Sequence, residues 1–457
     1  MKNKRCSSNP NRDRISYLPD LIRTHIISFL SMEDAIRTTI LSKQWRNICT
    51  SLSNLSFHQN YFEEMTKNKR DFKDFVYQTL ILHDGSDIES FGLWVKEGNM
   101  MMGNHVNAWC SFAVRHNVKD FELEVFGEML ERLPYCLVGC RSLNVLTLAG
   151  VNVSFSIILG FPLLRKLSLY SVYLVDDDVR SSSGSYRKLD ISCPLLEDLS
   201  LAFCSWDQFI VLTISAYNLK TLVIYDEFVL RTINITSPKL LDITYYGKPP
   251  EISSDTNSSL VNATFEFHSH GCKYHETLSD VQRARASKIL MGMQNVERLI
   301  LRHRFIEFLP AIQDLSSCTV TSCFSMKHLR VDMCPTTCDV QVITFLLGIY
   351  PNLQTLAIYV EHENVINLEE DTQAQSLSRG SILKHLKIVG IRDFGGSECE
   401  MNLLKYLLEN ANIMEKMDIT FSTKLRYAIS TQASISEKIV AFTKLSSNAV
   451  ISFSDSW

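Results

Sequence analysis

Cys318, Cys323, His328, Cys334 and Cys338 fall within 21 residues of one another, a density of soft donors that a zinc ion could exploit. Their spacing points the other way. No Cys-X-X-Cys pair is present, and Leu329 and Val331 place His328 on a core strand, where it would alternate outward. Thiols at irregular spacing serve more often as small core residues. Asp176-Asp177-Asp178 could chelate a divalent ion or act as an acid pair, but Ser181, Ser182, Ser183 and Ser185 follow around Gly184, the composition of a solvated loop. Cys272 lies near His270 and His275 with no orienting third group at a defined spacing. A Gly-X-Ser-X-Gly elbow, a Walker loop and a Gly-X-Gly-X-X-Gly turn are all absent. No cofactor and no metal are expected, and the chain reads as one that binds rather than one that catalyses.

Composition agrees with a binding role. The 457 residues are 46% hydrophobic and 21% charged, enough to bury a large core over two to four domains. A net charge of −4 argues against nucleic acid as the main ligand, because phosphate binding needs clustered Lys and Arg. Only residues 1–13 and their neighbour Arg14 are basic, which reads as a disordered tail. No apolar run reaches the ~18 residues of a membrane span, and the polar start lacks a signal-peptide core. Thirteen cysteines, an odd number, fit free thiols in a reducing compartment. The expected location is the cytosol or nucleus, with no membrane partner.

The elements that matter first lie between residues 14 and 60. Pro19 sits where a helix start tolerates a missing N–H, and Leu18, Ile22, Ile26 and Phe29/Leu30 follow at three- and four-residue spacing, one apolar stripe. Ser31 ends that helix and caps the next, with Asp34 in a box-like position and Ala35, Ile36 and Ile40 on the expected buried side. Ser42 opens a third helix bearing Trp45, Ile48 and Leu52 on one face. Three such short helices bury too little surface to be comfortable alone, so their stripes should be shared with another protein.

Asp13-Arg14-Ile15-Ser16, Leu18-Pro19, Ile26-Ile27-Ser28-Phe29-Leu30 and Leu41-Ser42-Lys43 ahead of Trp45-Arg46 closely resemble an F-box. The resemblance implies docking to the Skp-type adaptor of a cullin-RING ubiquitin ligase through Leu18, Pro19, Ile22, Ile26, Leu30 and Leu41. Two positions depart from the family pattern. Leu21-Ile22-Arg23 stands where a polar residue and then Ile-Leu are general, which sets a long cation near an expected apolar position. Gln44 replaces a commonly basic residue before Trp45.

From about residue 118 a phrase of three apolar residues, at positions one, four and six, recurs with the alternation of a half-buried strand. It occurs at Val118/Phe121/Leu123, Leu143/Leu146/Leu148, Leu164/Leu167/Leu169, Leu196/Leu199/Leu201 and Leu219/Leu222/Ile224. It continues at Leu240/Ile243/Tyr245, Val296/Leu299/Leu301, Met326/Leu329/Val331, Leu353/Leu356/Ile358 and Leu383/Leu386/Ile388. Pro162, Pro194, Pro238 and Pro351 each precede such a strand and end the segment before it. The recurrence signals an irregular solenoid over residues 70–382, and the phrase resembles the leucine-rich repeats that follow F-boxes in plant proteins. The long interval between Ile243 and Leu299 should hold a surface loop and one degenerate repeat, with a strand near 261–268 and a helix near 280–291.

Toward the C-terminus, Lys384 to Val389 reads as a strand, Gly395-Gly396 as a turn, and Ser397 with Glu400 as a capping box. The helix it opens carries Met401, Leu404, Leu407/Leu408 and Ala411 inward, before Met414/Met417/Ile419 repeats the phrase. Residues 383–421 resemble the FBD module of a large plant family, with 422–457 its C-terminal end. The expected fold is therefore α/β: a three-helix F-box, an irregular leucine-rich-repeat solenoid and an FBD β-α-β module.

Such a chain would be the substrate-recognition subunit of a Skp-cullin-F-box ligase, non-catalytic, its repeats holding a target protein. Outward positions of the phrases, Asn144, Lys166, Asp198, Thr221, Arg298 and Arg330, are candidate target contacts. Two other readings fit the same architecture. One is a small-molecule receptor, which would need a dense convergent set of Lys and Arg that the sequence lacks. The other is a protein-interaction scaffold outside any ligase.

Overall fold

A computed structural model describes residues 15, 18–96, 100–138, 140–154, 161–175, 187–206, 210–226, 230–254, 259–267, 280–302, 305–309, 323–362, 383–425, 428–442 and 449–455. Two compact units divide the chain, one comprising residues 1–181 and 204–206, the other 182–203 and 207–457.

The first unit opens with helices α1 (Asp20–Ile27), α2 (Met32–Arg37) and α3 (Lys43–Thr50), with a 3-10 turn at Thr38–Ile40 before α3. The Ser31 hydroxyl accepts from the Asp34 N–H at 3.2 Å and starts α2 as expected. Trp45, Ile48, Leu52, Met32 and Ala35 are buried between these helices. Ile40 is not: it is 84% exposed on the 3-10 turn, because α2 ends before that residue can continue its inner face.

The unit then builds a parallel ladder from β1 (Asn54–His58), β2 (Ser90–Val95), β3 (Asp120–Val125), β4 (Val145–Ala149) and a later rung, with a short strand β5 (Asn152–Ser154) following β4. That later rung is β6 (Lys166–Tyr170), and β7 (Tyr173–Val175) follows it to pair with β5 in a second small sheet. Parallel pairing requires a crossover after each strand. Gln59–Thr66, Phe72–Leu82 and Met100–Arg115 supply helical crossovers, and Phe57, Phe62, Phe72 and Trp109 are buried beneath them with ring centroids 4.7 to 6.1 Å from their aromatic neighbours.

The short strand β10 (Ser205–Trp206) belongs to the first unit and pairs with β7, whereas in the second unit β8 (Arg187–Ile191), β9 (Asp198–Ala202), β11 (Ile210–Ser215), β12 (Thr221–Tyr225), β13 (Leu230–Thr236), β14 (Asp242–Gly247) and β15 (Glu251–Ser254) alternate between two ladders. Rungs β8, β11, β13 and β15 pair with one another; β9, β12 and β14 continue through β16 (Asn262–Phe267), β17 (Arg298–Arg302), β18 (His328–Met333), β19 (Thr355–Val360), β20 (Ile388–Phe394), β21 (Lys416–Phe421) and β22 (Val450–Asp455). From β16 onward helices replace the second ladder, at Asp280–Met291, Thr337–Ile349, Glu398–Asn410 and Ile429–Phe442. The long interval after Ile243 thus contains an additional rung, β16, and the expected helix.

Parallel register aligns the middle residue of each phrase with that of the next, as in Leu222↔Ile243, Leu299↔Leu329 and Leu329↔Leu356, so one buried stack runs across the rungs. One phrase is displaced. Leu356 aligns with Val389 rather than Leu386, so the rung reads Leu386/Val389/Ile391, the strand starts at Ile388 rather than Lys384, and Ile388 is exposed. Apolar residues three apart at Leu383, Leu386 and Val389 satisfy both registers, and pairing with Leu356 selects the later one. The ladder begins before residue 118, at β1 and β2, where Leu52/Leu55/Phe57 and Ile88/Phe91/Leu93 follow the same phrase and are buried.

The capping box forms. Glu400 accepts the N–H groups of Gly395 at 2.8 Å and Ser397 at 2.7 Å, and Ser397 Oγ accepts from the Glu400 N–H at 3.3 Å. Glu400 is buried, so Glu400→Ala would leave two part-buried N–H donors without their acceptor, at a cost of about 1–3 kcal/mol. A denaturant titration should show that loss, with Glu400→Gln recovering part of it by keeping one carbonyl acceptor; an unchanged midpoint in Glu400→Ala would contradict the role given to the carboxylate.

Candidate functional site

The three N-terminal helices hide one set of apolar side chains and present another. On α1, Ile27 turns inward while Ile22, Ile26 and the following Leu30 stay 46%, 37% and 39% exposed. Leu41, after the 3-10 turn, is exposed, as are Leu21, Phe29 and Ile40, and Leu18 is half-buried beside exposed Pro19. Ile22 and Ile26 lie four apart and so share one helix face. A soluble domain seldom leaves so many large apolar side chains in water within one small unit unless they mark an interaction site. Leu21, Phe29 and Ile40 add to the set expected from sequence; helical periodicity alone marks stripes without saying which faces the chain's own core.

Arg23 does not reach that surface. Its side chain is buried and points toward α3, where Nη1 donates to Gln44 Oε1 at 3.1 Å and Nη2 pairs with Asp20. The two departures from the family pattern are therefore partners of each other: a basic residue at 44 would oppose the guanidinium, whereas the glutamine accepts from it. Nε remains enclosed with no acceptor, so the site depends on the two bonds it has. Gln44→Ala is expected to destabilise the helices by about 1–2 kcal/mol. Hydrogen exchange at α1 and α3 amides should rise accordingly, and equal exchange in variant and wild type would show the contact to be idle.

Among the candidate target contacts, Asp198 and Thr221 stand side by side in register, and Arg298 and Arg330 occupy adjacent rungs two positions apart. Asn144 and Lys166 belong to the first unit. The Asn144 main chain links rungs, its N–H donating to Lys119 O at 2.7 Å and its carbonyl accepting from Arg165 and Lys166 at 2.7 and 3.0 Å; Lys166 itself is exposed. On the same face as Arg330 lie three residues passed over in the sequence, Arg302, Tyr359 and Arg392. They follow the last apolar residue of their phrases by one position, a signal visible once the register is fixed.

The described members of the thiol cluster do not converge. Cys323 donates to Gln294 O at 2.7 Å, Cys334 lies 3.9 Å from Glu307, and Cys338 is exposed on the following helix. Among the described residues no three metal-ligating side chains converge. Cys318, the Asp176–Asp178 run and the Cys272 neighbourhood lie outside the described residues. No described helix is long and apolar enough to cross a membrane.

Comparison with known proteins matches both parts of the chain. The F-box domain model matches residues 15–57, and the At1g61320/AtMIF1 leucine-rich-repeat domain model matches residues 79–450. The chain is similar to Arabidopsis thaliana F-box/LRR-repeat protein At3g62440, 26% identical over 448 residues that cover 89% of this chain and 93% of the relative. F-box/FBD/LRR-repeat protein At5g56420 of the same plant is 26% identical over 412 residues, covering 88% and 89% of the two chains. F-box/LRR-repeat protein At4g14103 is 29% identical over 364 residues, covering 76% of this chain and 91% of the relative.

Proposed function

Because the chain belongs to the F-box/leucine-rich-repeat family, we propose that it is a substrate receptor of a Skp-cullin-F-box ubiquitin ligase, docking the Skp-type adaptor through its N-terminal helices and a target protein through its repeats. The observation that carries the reading is the exposure of Ile22, Ile26, Leu30 and Leu41. Leu18 and Pro19, at the start of α1, complete the docking set with these four. A few well-packed anchors carry most of the binding free energy of an interface, and these exposed apolar side chains lie in a group of helices that buries too little surface by itself.

Ubiquitin transfer then follows from proximity. Holding the adaptor at one end and a target elsewhere raises the effective concentration of target lysines near the conjugating enzyme, with no catalytic residue in this chain. Family membership favours this non-catalytic role. Residues 383–421, similar to an FBD module, supply rungs β20 and β21 near the end of the ladder, before the last rung β22, and we assign the module to capping the repeats. We propose the cytosol or nucleus as its location, a reducing environment that suits free thiols.

Co-purification tests the reading. The full chain expressed with a Skp-type adaptor and a cullin should retain both, which separates a ligase receptor from a scaffold that holds the adaptor alone; recovery of adaptor without cullin would favour the scaffold.

A further inference from the structure

The solvent face of the second unit's ladder is divided by charge. On β9, β12, β14 and β16 the outward residues include Asp198, Asp242 and Glu266 and no cation. On β17 to β20 they include Arg298, Arg302, Arg330 and Arg392 against the single carboxylate Asp332, a net charge of +3. The register puts both sets on one face, since Arg298 aligns with His328, Ile300 with Arg330, Asp332 with Tyr359 and Tyr359 with Arg392.

This arginine set differs from the charges just before each strand. Those pair off between neighbouring rungs, Lys220 with Glu197 at 2.6 Å, Lys327 with Glu297 at 2.9 Å and Lys387 with Glu415 at 2.9 Å. On the face itself only Arg330 has a carboxylate, Asp332 at 3.1 Å; among the described residues Arg298, Arg302 and Arg392 form no ion pair. Tyr359 orders two of them, its ring centre lying 3.6 Å from the Arg330 guanidinium and 5.1 Å from that of Arg392. Stacked guanidinium groups keep their N–H forks free to meet a carboxylate edge-on, and little side-chain entropy is left to lose on binding. Burial holds the His328 imidazole below its ordinary range, and Arg298 and Lys327 beside it act in the same direction, as a positive local field would.

We infer that the outward face of β17–β20 is the docking surface for an acidic, extended segment of the target protein, with Arg298, Arg302 and Arg392 meeting its carboxylates. The inference rests on the substrate-receptor reading. Between Arg298 and Arg392 there are three strand spacings and four residues of rise, about 20 Å, the reach of roughly six extended residues. The acidic rungs β9–β16 repel the same segment, which confines it to one part of the ladder.

Fluorescence anisotropy on the full chain tests this with two probes, a fluorescein-labelled decapeptide of alternating Ser and Glu and its Ser-Lys counterpart. The Ser-Glu probe should bind, more weakly as salt rises, and the double variant Arg298→Gln/Arg392→Gln should lose at least tenfold in affinity. Lys416→Gln, which alters a cation already paired with Asp418 on the neighbouring rung, should stay within about twofold. Binding of the Ser-Lys probe as tight as that of Ser-Glu, no Ser-Glu binding, or equal affinity in the double variant would overturn the assignment. Adaptor binding measured on the same samples keeps the two readings apart. Adaptor bound with the acidic probe rejected removes this surface alone; the probe bound with the adaptor rejected leaves the surface and removes the ligase role.

Discussion

Gly150→Ala should destabilise the first unit by about 3–4 kcal/mol, enough to lower its melting midpoint by about 10 °C. Gly150 follows β4 with φ at +66°, in the left-handed region, and a Cβ there would sit 2.0 Å from the carbonyl oxygen of Val125. The obstacle is backbone on the neighbouring rung, so no side-chain rotation relieves it. Gly150 is also tied on both sides, its N–H donating to Tyr170 O at 3.3 Å and its carbonyl accepting from Leu130 at 3.0 Å. An alanine must therefore move rungs β3, β4 and β6 together or break those bonds. The left-handed conformation alone costs about 1 kcal/mol for a residue with a Cβ, and the steric conflict supplies the rest. Gly390→Ala is the matched control: it lies on β20 with open space around the added carbon, and should change stability by no more than about 0.5 kcal/mol. Differential scanning calorimetry of the three proteins measures both, and similar midpoints for Gly150→Ala and wild type would show that the rungs give way more easily than their register implies.

Ile22→Glu combined with Leu41→Glu should weaken adaptor binding by at least 100-fold while leaving the melting midpoint in place. Both side chains are exposed in the free chain, so folding gains little from them and a carboxylate there stays hydrated. In a complex the same two positions would become buried, and an unpaired carboxylate in an apolar interface costs several kcal/mol, of which about 3 suffices for the stated loss. The contrast between binding and stability is the diagnostic part. Trp45→Ala would also abolish binding, but by emptying the centre of the helical unit, and its midpoint would fall with it. Titration calorimetry beside thermal melts separates the two; retention of adaptor affinity by the doubly charged variant would place the dock elsewhere.

Much of this architecture could be read from the chain because leucine-rich ladders use side chains in a short, repeated order. Val118/Phe121/Leu123 and the phrases after it as far as Leu353/Leu356/Ile358 are buried as expected, and the Ser397–Glu400 box forms where its residue types placed it. The failures have identifiable causes. The rung at β20 slipped by three residues because Leu386 can serve as either the first or the middle member of a phrase, and only pairing with Leu356 decides. The second ladder of the later unit is absent from the phrase pattern although Leu212/Ile214 and Ile233/Ile235 alternate as buried strands do; those strands lie in the intervals between phrases, to which the repeat assigns no strand. Burial of Arg23 required knowing that Gln44 would face it across two helices, a pairing 21 residues apart. The division of charge across the sheet was invisible for the same reason, since Arg298 and Arg392 are remote in sequence and become neighbours of one surface only through the register of three successive strand pairs.

The most direct measurement of the central claim is titration of the full chain with a purified Skp-type adaptor, followed by hydrogen exchange on the complex. The account predicts saturable one-to-one binding with new protection confined to α1, the 3-10 turn and the start of α3. Absence of binding, or binding with protection on the strand ladders instead, would contradict it.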